Sequence, residues 1–446
     1  MDIQGWNEWL NGYVWGMPMI VLLLGTGVLL TVLTRAVQVR LLAVAFREVL
    51  GRLGKKTVGE GSVSPFQAVA TALASTVGVG NIAGVATAIH LGGPGALFWL
   101  WMSGLFGMCT KFAEIVLALH YRETDAAGTM RGGAMFVLRK GLGLPWLATT
   151  FAVLVPLAAF GIGNMVQANS VADSLRSSFG LQPWVTGAIL VVVTGLVILG
   201  GISRIGEVTS RLVPLMALLY LGGGLVVLVR FAGELPGALA LVFEGAFTGT
   251  AAAGGFAGST IMMALRYGVA RGLFSNEAGL GSAPMVHAAA RTDHPVRQGL
   301  YGIFEVFVDT ILVCTMTGFV ILATGAWSGG ETGAALSGQA FSIGLPGTWG
   351  NLVVTVSLVL FAYSTIIGWS YYGETGITYL LGARAALPYR LVWLVFVFLG
   401  AVGSLRLVWA VADTLNGLMA IPNLVAVLGT IPVMLRLLRE FEARRG

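Results

Sequence analysis

Long runs of apolar residues, separated by short polar stretches, recur along the whole chain. A run of roughly 18 or more apolar residues is long enough to cross a bilayer as a helix. The pattern therefore predicts an all-α polytopic membrane protein with about eleven transmembrane helices. The predicted spans are 14–34, 65–91, 95–121, 146–178, 184–203, 206–231, 238–267, 298–325, 351–381, 388–404 and 406–437. The last one contains Pro422 and Pro432, which are expected to interrupt it because proline removes a backbone donor.

The composition supports this class. Of 446 residues, 56% are hydrophobic and only 10% are charged, whereas a soluble protein carries about 25% charged residues. The basic residues are dispersed, so the net charge of +6 does not indicate nucleic-acid binding. Cys109 and Cys314 both fall in apolar segments, and the four histidines lie apart from acidic clusters. Neither a disulfide framework nor a metal-ligand cluster is predicted.

The positions of the basic residues predict the orientation. If the N-terminus is outside, every Lys and Arg except Arg176, Arg230 and Arg406 falls on the inner side. Because basic residues accumulate in cytoplasmic connections, we expect the N-terminus outside and the C-terminus inside. The protein is then expected to lie in the cytoplasmic (plasma) membrane.

The spans divide the chain into an extra N-terminal segment and two halves. Residues 1–60 hold the first span and a basic amphipathic connection, and residues 439–446 form a cytoplasmic tail. Between them, 65–232 and 236–438 each hold five spans. Because five is odd, the second half enters the membrane from the opposite side, as a 5+5 inverted repeat requires, although the halves show no convincing residue similarity. In transporters of this plan, a discontinuous helix opens each half and the substrate binds near the midplane.

A glycine motif in the second span predicts such a discontinuity. Residues 78–83, GVGNIA, match the G-x-G-x-x-A pattern of a dinucleotide-binding loop. That loop needs a preceding strand and a later carboxylate, but PFQAVATALA precedes the motif and the carboxylate-free FWLWM follows it. Gly78 and Gly80, two residues apart, cannot form one packing stripe. We interpret the motif as a broken helix, whose free carbonyls and amides can bind Na⁺ and a carboxylate.

The inverted plan calls for a second break at the start of the second half. GTAAAGGFAGST, residues 249–260, provides a glycine-rich stretch there. Gly254, Gly255 and Phe256 are predicted to form its unwound centre.

Several longer motifs occur in a fixed order along the chain. They are ATALASTVGVGNIAG (70–84), GPGALFWLWMSGLFGMCTKFAE (93–114), GNMVQANSVA (163–172), GVARGLFSNEAGLGSAP (268–284) and FAYSTIIGWSYYGE (361–374). With them, nearly the whole chain resembles the alanine/glycine:cation symporter family, which belongs to the wider LeuT-like group. The resemblance implies Na⁺-coupled uptake of a small neutral amino acid, alanine or glycine, by alternating access.

The resemblance also implies a site. In the related neurotransmitter:sodium symporters, the amides of the same broken helix hold the substrate carboxylate, and nearby carbonyls and the Asn of the motif bind sodium. An Arg that follows the motif in those symporters has no counterpart here. The implied sodium ligands are the carbonyls of Ala74, Val77 and Phe361 and the hydroxyls of Ser364 and Thr365. The predicted substrate-binding residues are Thr76, Gly78, Gly80, Asn81, Gln167, Gly255, Phe256 and Trp369.

Several of these residues have an ordinary structural explanation as well. Gln167 is either a ligand or a helix–helix hydrogen-bond partner. Phe256 and Trp369 either limit the pocket to a small side chain or simply pack. Ser364 and Thr365 either bind sodium or bond back to their own helix.

Two carboxylates, Glu305 and Asp309, share one face of a predicted span. Intramembrane carboxylates are functional candidates, and no Lys or Arg lies near them in that span. They bind the substrate ammonium or a proton, or belong to a structural polar network. Lys111 and Glu114, at i and i+3, are predicted to form a local ion pair near the inner surface.

Other classes fit the sequence less well. No P-loop is present to supply ATP energy, and neither H-E-x-x-H nor G-x-S-x-G occurs, so an enzyme is not predicted. One pair of broken helices in an asymmetric chain fits a channel poorly. The predicted function is a Na⁺-coupled secondary transporter without a bound cofactor, and an H⁺-coupled amino-acid symporter is the alternative.

Overall fold

In the computed structural model, which describes residues 3–51, 58–248, 261–404 and 406–444, the chain is almost entirely helical. The α-helices are α1 (Ile3–Val14), α2 (Met17–Leu33), α3 (Val37–Arg40), α4 (Leu42–Gly51), α5 (Pro65–Thr76), α6 (Val85–Gly92), α7 (Ala96–His120), α8 (Ala134–Phe136), α9 (Pro145–Ala158), α10 (Val166–Phe179), α11 (Pro183–Ile198), α12 (Gly201–Arg230), α13 (Leu235–Phe247), α14 (Ile261–Asn276), α15 (Pro284–His287), α16 (Pro295–Val306), α17 (Thr315–Ala323), α18 (Gly333–Gly344), α19 (Trp349–Leu381), α20 (Ala386–Val402), α21 (Arg406–Leu418), α22 (Ala420–Gly429) and α23 (Ile431–Ala443).

Shorter elements connect or interrupt these helices. Two short strands, Glu123–Thr124 and Met130–Arg131, pair antiparallel in a hairpin after α7. The 3₁₀ turns are Ala232–Glu234, Ala326–Ser328 and Ala383–Ala385. The π-helical segments are Gly80–Gly84, Val137–Gly141, Ala159–Met165 and Phe307–Cys314. Because π-helical turns are frequent at functional sites, the segment that follows Gly78 and the segment that contains Asp309 are candidate parts of a functional site.

Among the described residues, eight helical stretches are long and apolar enough to cross a membrane, and a bent pair around Gly80 makes a ninth. The eight are Gly5–Leu33, Ala96–His120, Pro145–Phe179, Gly201–Arg230, Pro295–Ala323, Trp349–Leu381, Ala383–Val402 and Val408–Gly429. The polytopic all-α class is confirmed, but the count of eleven is not. The last predicted span, 406–437, is divided among α21, α22 and α23, in agreement with its prolines.

The first helix break forms where the glycine motif predicts it. Ser64 starts α5 with a reciprocal cap: its hydroxyl accepts from the Gln67 amide, and the Gln67 side chain accepts from the Ser64 amide. The helix ends at Thr76, and Val77 adopts an extended conformation (φ −77°, ψ 91°). The axes on either side of the break differ by 51°. A dinucleotide loop is excluded, because a helix rather than a strand precedes the glycines.

An unwound segment that the sequence did not predict follows α14 and faces the first break. Residues 249–260, with Gly254, Gly255 and Phe256, are outside the described residues. The following helix, α14, runs to Asn276, beyond the predicted end of its span at residue 267. Glu277 then has a left-handed backbone (φ 55°), as do Gly279 and Gly281, before the short α15 begins. This unwound segment lies against the first break, since Glu277 lines the same cavity as Gly78 and Gly80.

Small residues let the helices around the break approach closely. A methyl group added at Gly272 of α14 would lie 1.9 Å from the Ser103 hydroxyl oxygen of α7. One at Gly268 would lie 2.3 Å from the Ala96 backbone oxygen. Close contact through small residues is how membrane helices associate. Helix α7 is accordingly interior, with 83% of its apolar stretch buried, whereas α12 is peripheral, with 28% buried.

Connections that the charge pattern assigns to the inner side meet at one end of the molecule. Glu60 and Thr292 form a β-bridge. The Arg122 guanidinium donates to the backbone oxygens of Glu60 at 2.8 Å and Ala290 at 2.7 Å. We call this the inner end, following the predicted orientation, and the opposite end the outer end.

Candidate functional site

A cavity of about 320 Å³ lies at the first helix break, enclosed by the unwound segment after α14 and by α10, α19 and α21. Its lining combines backbone of the break with polar and aromatic side chains. The lining residues are Ser75, Thr76, Gly78, Val79, Gly80, Ile162, Gln167, Phe274, Ser275, Glu277, Thr365, Trp369 and Asn416. The structure thus brings together the predicted substrate residues Thr76, Gly78, Gly80, Gln167 and Trp369. Gly255 and Phe256 lie outside the described residues.

Asn81 is placed differently from the prediction. It is fully buried and does not line the cavity. Its Oδ1 accepts a hydrogen bond from the Gly78 amide at 2.9 Å, and its Nδ2 donates to Asp309 Oδ1 at 2.7 Å. The Asn81 side chain therefore already accepts a hydrogen bond from the Gly78 amide, one of the two amides predicted to hold the substrate carboxylate.

Glu277 is a cavity residue that the sequence analysis did not identify. Its side chain is buried, and its Oε1 accepts a hydrogen bond from Trp369 Nε1 at 2.9 Å. Ser282 Oγ donates to the other carboxylate oxygen. The sequence carries a weak signal for it: a single carboxylate beside two glycines in NEAGLG. The cavity thus contains an acidic group as well as backbone amides.

Two further side-chain oxygens in the cavity wall are buried without a hydrogen-bond partner in the described structure, Gln167 Oε1 and Asn416 Oδ1. The Gln167 Nε2 group, in contrast, has a partner, because it donates a hydrogen bond to the Ile162 backbone oxygen at 3.0 Å. A buried acceptor left unpaired costs about 1–3 kcal/mol. A ligand with several N–H groups would satisfy both oxygens.

Four of the five predicted sodium ligands converge beside the cavity. The Ser364 hydroxyl lies 2.9 Å from the Ala74 oxygen and 2.8 Å from the Phe361 oxygen. The Thr365 hydroxyl lies 3.3 Å and 3.0 Å from the same two oxygens. Both ordinary back-bonding to Phe361 and contact across to α5 are therefore present. The fifth predicted ligand, Val77, is the extended residue that directly follows α5.

Glu305 and Asp309 have different partners: Asp309 accepts a hydrogen bond from Asn81, as described above, whereas Glu305 lies beside basic groups. Glu305 is 3.4 Å from Lys111 Nζ and 2.9 Å from His287 Nε2, so its partner comes from another helix. The predicted pair between Lys111 and Glu114 is wrong, since Lys111 pairs with Glu305. Glu114 instead accepts hydrogen bonds from the Asn423 side chain and from the Gly281 amide. These contacts tie α7 to the second unwound segment.

A larger cavity, of about 1140 Å³, lies towards the outer end. It is lined mainly by α10, α18 and α19, and Val79 lines both cavities. At the inner end, two arginines hold the buried carboxylate of Glu374. Arg131 donates to it at 3.0 Å and Arg390 at 2.7 Å. We call the cavity at the first break the central cavity and the larger one the vestibule. The two share Val79, and the Glu374 ion pairs lie at the opposite, inner end.

Comparison with known proteins gives full-length relatives. The chain is 50% identical to the sodium/alanine symporter AgcS of Methanococcus maripaludis, covering 96% of this chain and 95% of the relative. It is 46% identical to an uncharacterized transporter of Haemophilus influenzae, covering 100% and 97%. It is 39% identical to the probable sodium/glutamine symporter GlnT of Bacillus subtilis, covering 98% and 90%.

Solved structures confirm the fold. MhsT in complex with L-phenylalanine aligns with a TM-score of 0.58 at 14% identity, covering 85% of this chain and 98% of that one. A manganese transporter of Eremococcus coleocola aligns with a TM-score of 0.52 at 15% identity, covering 86% and 81%. The fold is that of LeuT-like transporters, which confirms the predicted fold class.

The family comparison covers the whole chain. Residues 1–446 match the sodium:alanine symporter family. The protein is therefore a polytopic membrane transporter and not an enzyme, and it carries out sodium-coupled symport of an amino acid. The chain belongs to the sodium:alanine symporter family.

Proposed function

We propose that the protein takes up small neutral amino acids, alanine and/or glycine, together with Na⁺, and that the central cavity is the binding site. The observation that carries this proposal is the meeting of two interrupted helices around one cavity that contains both backbone amides and a carboxylate. An amino acid carries one negative and one positive group on the same carbon. The cavity offers partners for both.

The substrate carboxylate binds at the break in the first half. The amides of Gly78 and Gly80 lie where α5 has ended, and N–H groups at such a break favour an anionic group. The substrate carboxylate takes the place of Asn81 Oδ1, which accepts from the Gly78 amide in this structure. A Cβ added at Gly80 would lie 3.3 Å from the Phe274 ring, a tight contact, so glycine keeps this position from crowding the site. Thr76, with its hydroxyl bonded back to Ala72, contributes to the wall of the site.

The substrate ammonium binds on the opposite wall. Glu277 supplies the negative charge, and the unpaired oxygens of Gln167 and Asn416 supply neutral acceptors. An ammonium group has three donors, which matches one carboxylate and two amide oxygens. A charge-assisted hydrogen bond of this kind contributes roughly 1.5–3 kcal/mol.

Aromatic side chains limit the size of the substrate. Trp369 is nearly fully buried against Gly163 and is held by Glu277, so it does not move aside easily. Phe274 closes the cavity near Gly80. These two rings restrict the substrate to a small side chain, in keeping with the alanine in the name of the 50% identical relative.

Sodium binds next to the substrate at the carbonyls of Ala74, Val77 and Phe361 and the hydroxyls of Ser364 and Thr365. All five are neutral oxygens, which suits a monovalent hard cation. Thr365 also lines the substrate cavity, and a methyl group at Gly78 would lie 2.7 Å from its hydroxyl oxygen. The ion site and the substrate site therefore share a wall.

Alternating access follows from the two ends of the molecule. The vestibule leads from the outer end to Val79, while the Glu374 ion pairs close the inner end. With the N-terminus outside, the substrate enters through the vestibule and leaves towards the cytoplasm. The inverted halves 65–232 and 236–438 supply the two groups of helices that move relative to each other.

Uptake into proteoliposomes tests the proposal. Labelled alanine or glycine should accumulate with an inward Na⁺ gradient and not with K⁺, and unlabelled alanine and glycine should compete better than glutamine or phenylalanine. Equal uptake driven by a pH gradient alone would replace Na⁺ with H⁺. Stronger competition by glutamine than by alanine would contradict the assignment to small substrates.

A further inference from the structure

A third cavity, of about 730 Å³, lies between the end of α2 and the last helix, α23. One side is formed by the turn that follows α2, with Arg35 and Arg40, and the other side by α23, with Leu435, Arg439 and Glu442. Arginines and leucines together make up most of the lining. We call it the arginine cavity, and its wall is both basic and apolar.

The arginine cavity lies at the inner end, at the depth where α2 leaves the membrane. The apolar stretch Gly5–Leu33 ends at the cavity, because Leu33 lines it. On the other side, the ring of Phe441 in α23 lies 5.4 Å from the ring of His294. His294 follows closely after Thr292, which forms the β-bridge that marks the inner end. The cavity is therefore at the boundary between hydrocarbon and headgroups.

Arg40 fixes the shape of the cavity. The turn after α2 places Arg35 and Ala36 in the left-handed region, both with φ 55°, where residues other than glycine are uncommon. The Arg40 guanidinium donates to the backbone oxygens of Thr34 at 3.1 Å and Arg35 at 3.0 Å. It also pairs with Glu442 of α23 at 2.8 Å. The charge of Arg40 is thus used within the protein, to hold the turn against α23.

The other two arginines of the cavity carry charge that the protein does not match. Among the residues that the structure describes, no acidic side chain pairs with Arg35 or Arg439. Both are exposed, whereas Leu438, beside Arg439, is buried. Leu33 is 41% exposed at the same cavity. Two positive charges and an apolar surface therefore face one space.

We propose that the arginine cavity binds an anionic phospholipid of the inner leaflet. Arg35 and Arg439 hold the headgroup phosphate, since guanidinium groups match the geometry of phosphate oxygens. The acyl chains lie along Leu33 and Leu435. A soluble phosphate would leave these leucines uncovered, and a zwitterionic lipid brings a positive group towards the arginines.

The place of the cavity in the membrane supports this occupant. Basic pockets between membrane helices on the cytoplasmic side bind anionic headgroups, and the predicted orientation puts the inner end on that side. The proposal does not depend on which substrate or coupling ion the protein carries.

A lipid in this cavity joins two distant parts of the chain. Arg35 follows the first membrane-crossing helix, and Arg439 lies on the last helix of the described chain. A phosphate held by both adds a second link beside the pair of Arg40 and Glu442. Because a ligand that binds only the folded protein stabilises it, the lipid should raise the melting temperature.

The test measures the melting temperature of the purified full-length protein in detergent micelles while phosphatidylglycerol replaces phosphatidylcholine at constant total lipid. We expect a rise of about 3 °C or more. Arg35→Gln and Arg439→Gln should each raise the fraction of phosphatidylglycerol needed for half of this rise by about fivefold. The matched control is Arg436→Gln, because Arg436 is exposed on the same helix, lies 3.7 Å from Glu440 and does not line the cavity. This control should leave the required fraction unchanged.

Each alternative gives a different result. Equal melting temperatures in the two lipids, or equal shifts in Arg436→Gln and Arg439→Gln, would overturn the proposal, the latter because diffuse attraction would then suffice. The full rise with inorganic phosphate or glycerol 1-phosphate alone would assign the cavity to a soluble phosphate and contradict a lipid. Should Arg35→Gln not elute as a folded protein, Arg439→Glu reverses a charge at an exposed helix position and should remove the rise. A rise that persists in Arg439→Glu would also overturn the proposal.

Discussion

The Trp369 indole nitrogen and the Glu277 carboxylate form a hydrogen bond of 2.9 Å inside the central cavity. The bond joins α19 to the unwound segment after α14. It holds the aromatic wall and the acidic group in one fixed arrangement. The residue proposed to limit substrate size and the carboxylate proposed to face the substrate ammonium are thus oriented together.

Replacing Glu277 with Gln should weaken substrate binding strongly. Glutamine keeps the size and can still accept from Trp369, but it removes the charge that faces the ammonium. The loss of a charge-assisted bond of roughly 1.5–3 kcal/mol raises the KM for alanine by about 10-fold to 100-fold. Proteoliposome uptake measures this, with Glu331→Gln at an exposed position as the control. An unchanged KM would remove Glu277 from the site.

The Thr365 hydroxyl should matter for sodium rather than for folding. Thr365→Val keeps the shape but removes an oxygen that lies 3.3 Å from the Ala74 oxygen. We expect half-maximal uptake to need about tenfold more Na⁺, since one polar contact contributes about 1 kcal/mol or more. Thr378→Val is the matched control, because Thr378 lies on the same helix and bonds only within α19. Equal effects of the two variants would contradict a sodium ligand.

Gly78→Ala should abolish transport without unfolding the protein. The added methyl group would lie 2.7 Å from the Thr365 hydroxyl oxygen and 3.7 Å from Gln167 Oε1, so it enters both proposed sites. Gly222→Ala is the comparison, because nothing lies within 4 Å of that position in α12. Uptake and size-exclusion elution of both variants check this. Normal uptake by Gly78→Ala would show that the break does not hold the substrate.

Glu374 should stabilise the closed inner end. Removing one member of a buried ion-pair group costs roughly 3–5 kcal/mol, because the partners are left unpaired. Glu374→Gln faces Arg131 and Arg390 with a neutral group, so we expect a clearly lower melting temperature in detergent. Glu207→Gln, at the exposed pair with Arg204, should change it little, since surface pairs contribute about 0–1 kcal/mol. Similar melting shifts in both variants would contradict this role.

Asp125 pairs with Arg131, the same arginine that holds Glu374, and this pair predicts how the stability of the protein depends on pH. Burial alone would raise the pKa of Asp125, but the hydrogen bond from Arg131 and the Thr129 amide outweigh it and lower the pKa below its ordinary value. The stabilisation is therefore present above the unfolded pKa of about 3.9, and it is lost only as the pH falls through the lower folded value. Asp125→Asn should reduce the melting temperature equally at pH 6 and pH 8. A smaller reduction at pH 6 would contradict this assignment.

The sequence predicted the first break well, because its cause is local. Glycines that cannot form a packing stripe, with polar neighbours at midplane depth, leave few alternatives to unwinding. The residues of the first half therefore gather at the cavity as expected. Gly78 and Gly80 are the clearest examples.

The unwound segment after α14 was not predicted, because apolar length was the signal used. Residues 235–247 form the separate apolar helix α13, which made 238–267 look like one span. The helix that reaches the cavity, α14, carries Arg266 and Arg271, so its second half resembled a connection. Packing against α7 nonetheless buries the second half of α14. Glu277 was overlooked for the same reason. The partners of Lys111 and Asp309 could not be predicted, because they come from helices distant in sequence.

Val79 lines both the central cavity and the outer vestibule, so its side chain forms part of the wall between them. A compound with an amino-acid headgroup and a long tail would place its head among the glycines and extend its tail past this valine. Such a molecule would hold the wall open and prevent the helices from closing around it. It would act as a blocker that competes with the substrate yet is not carried across the membrane.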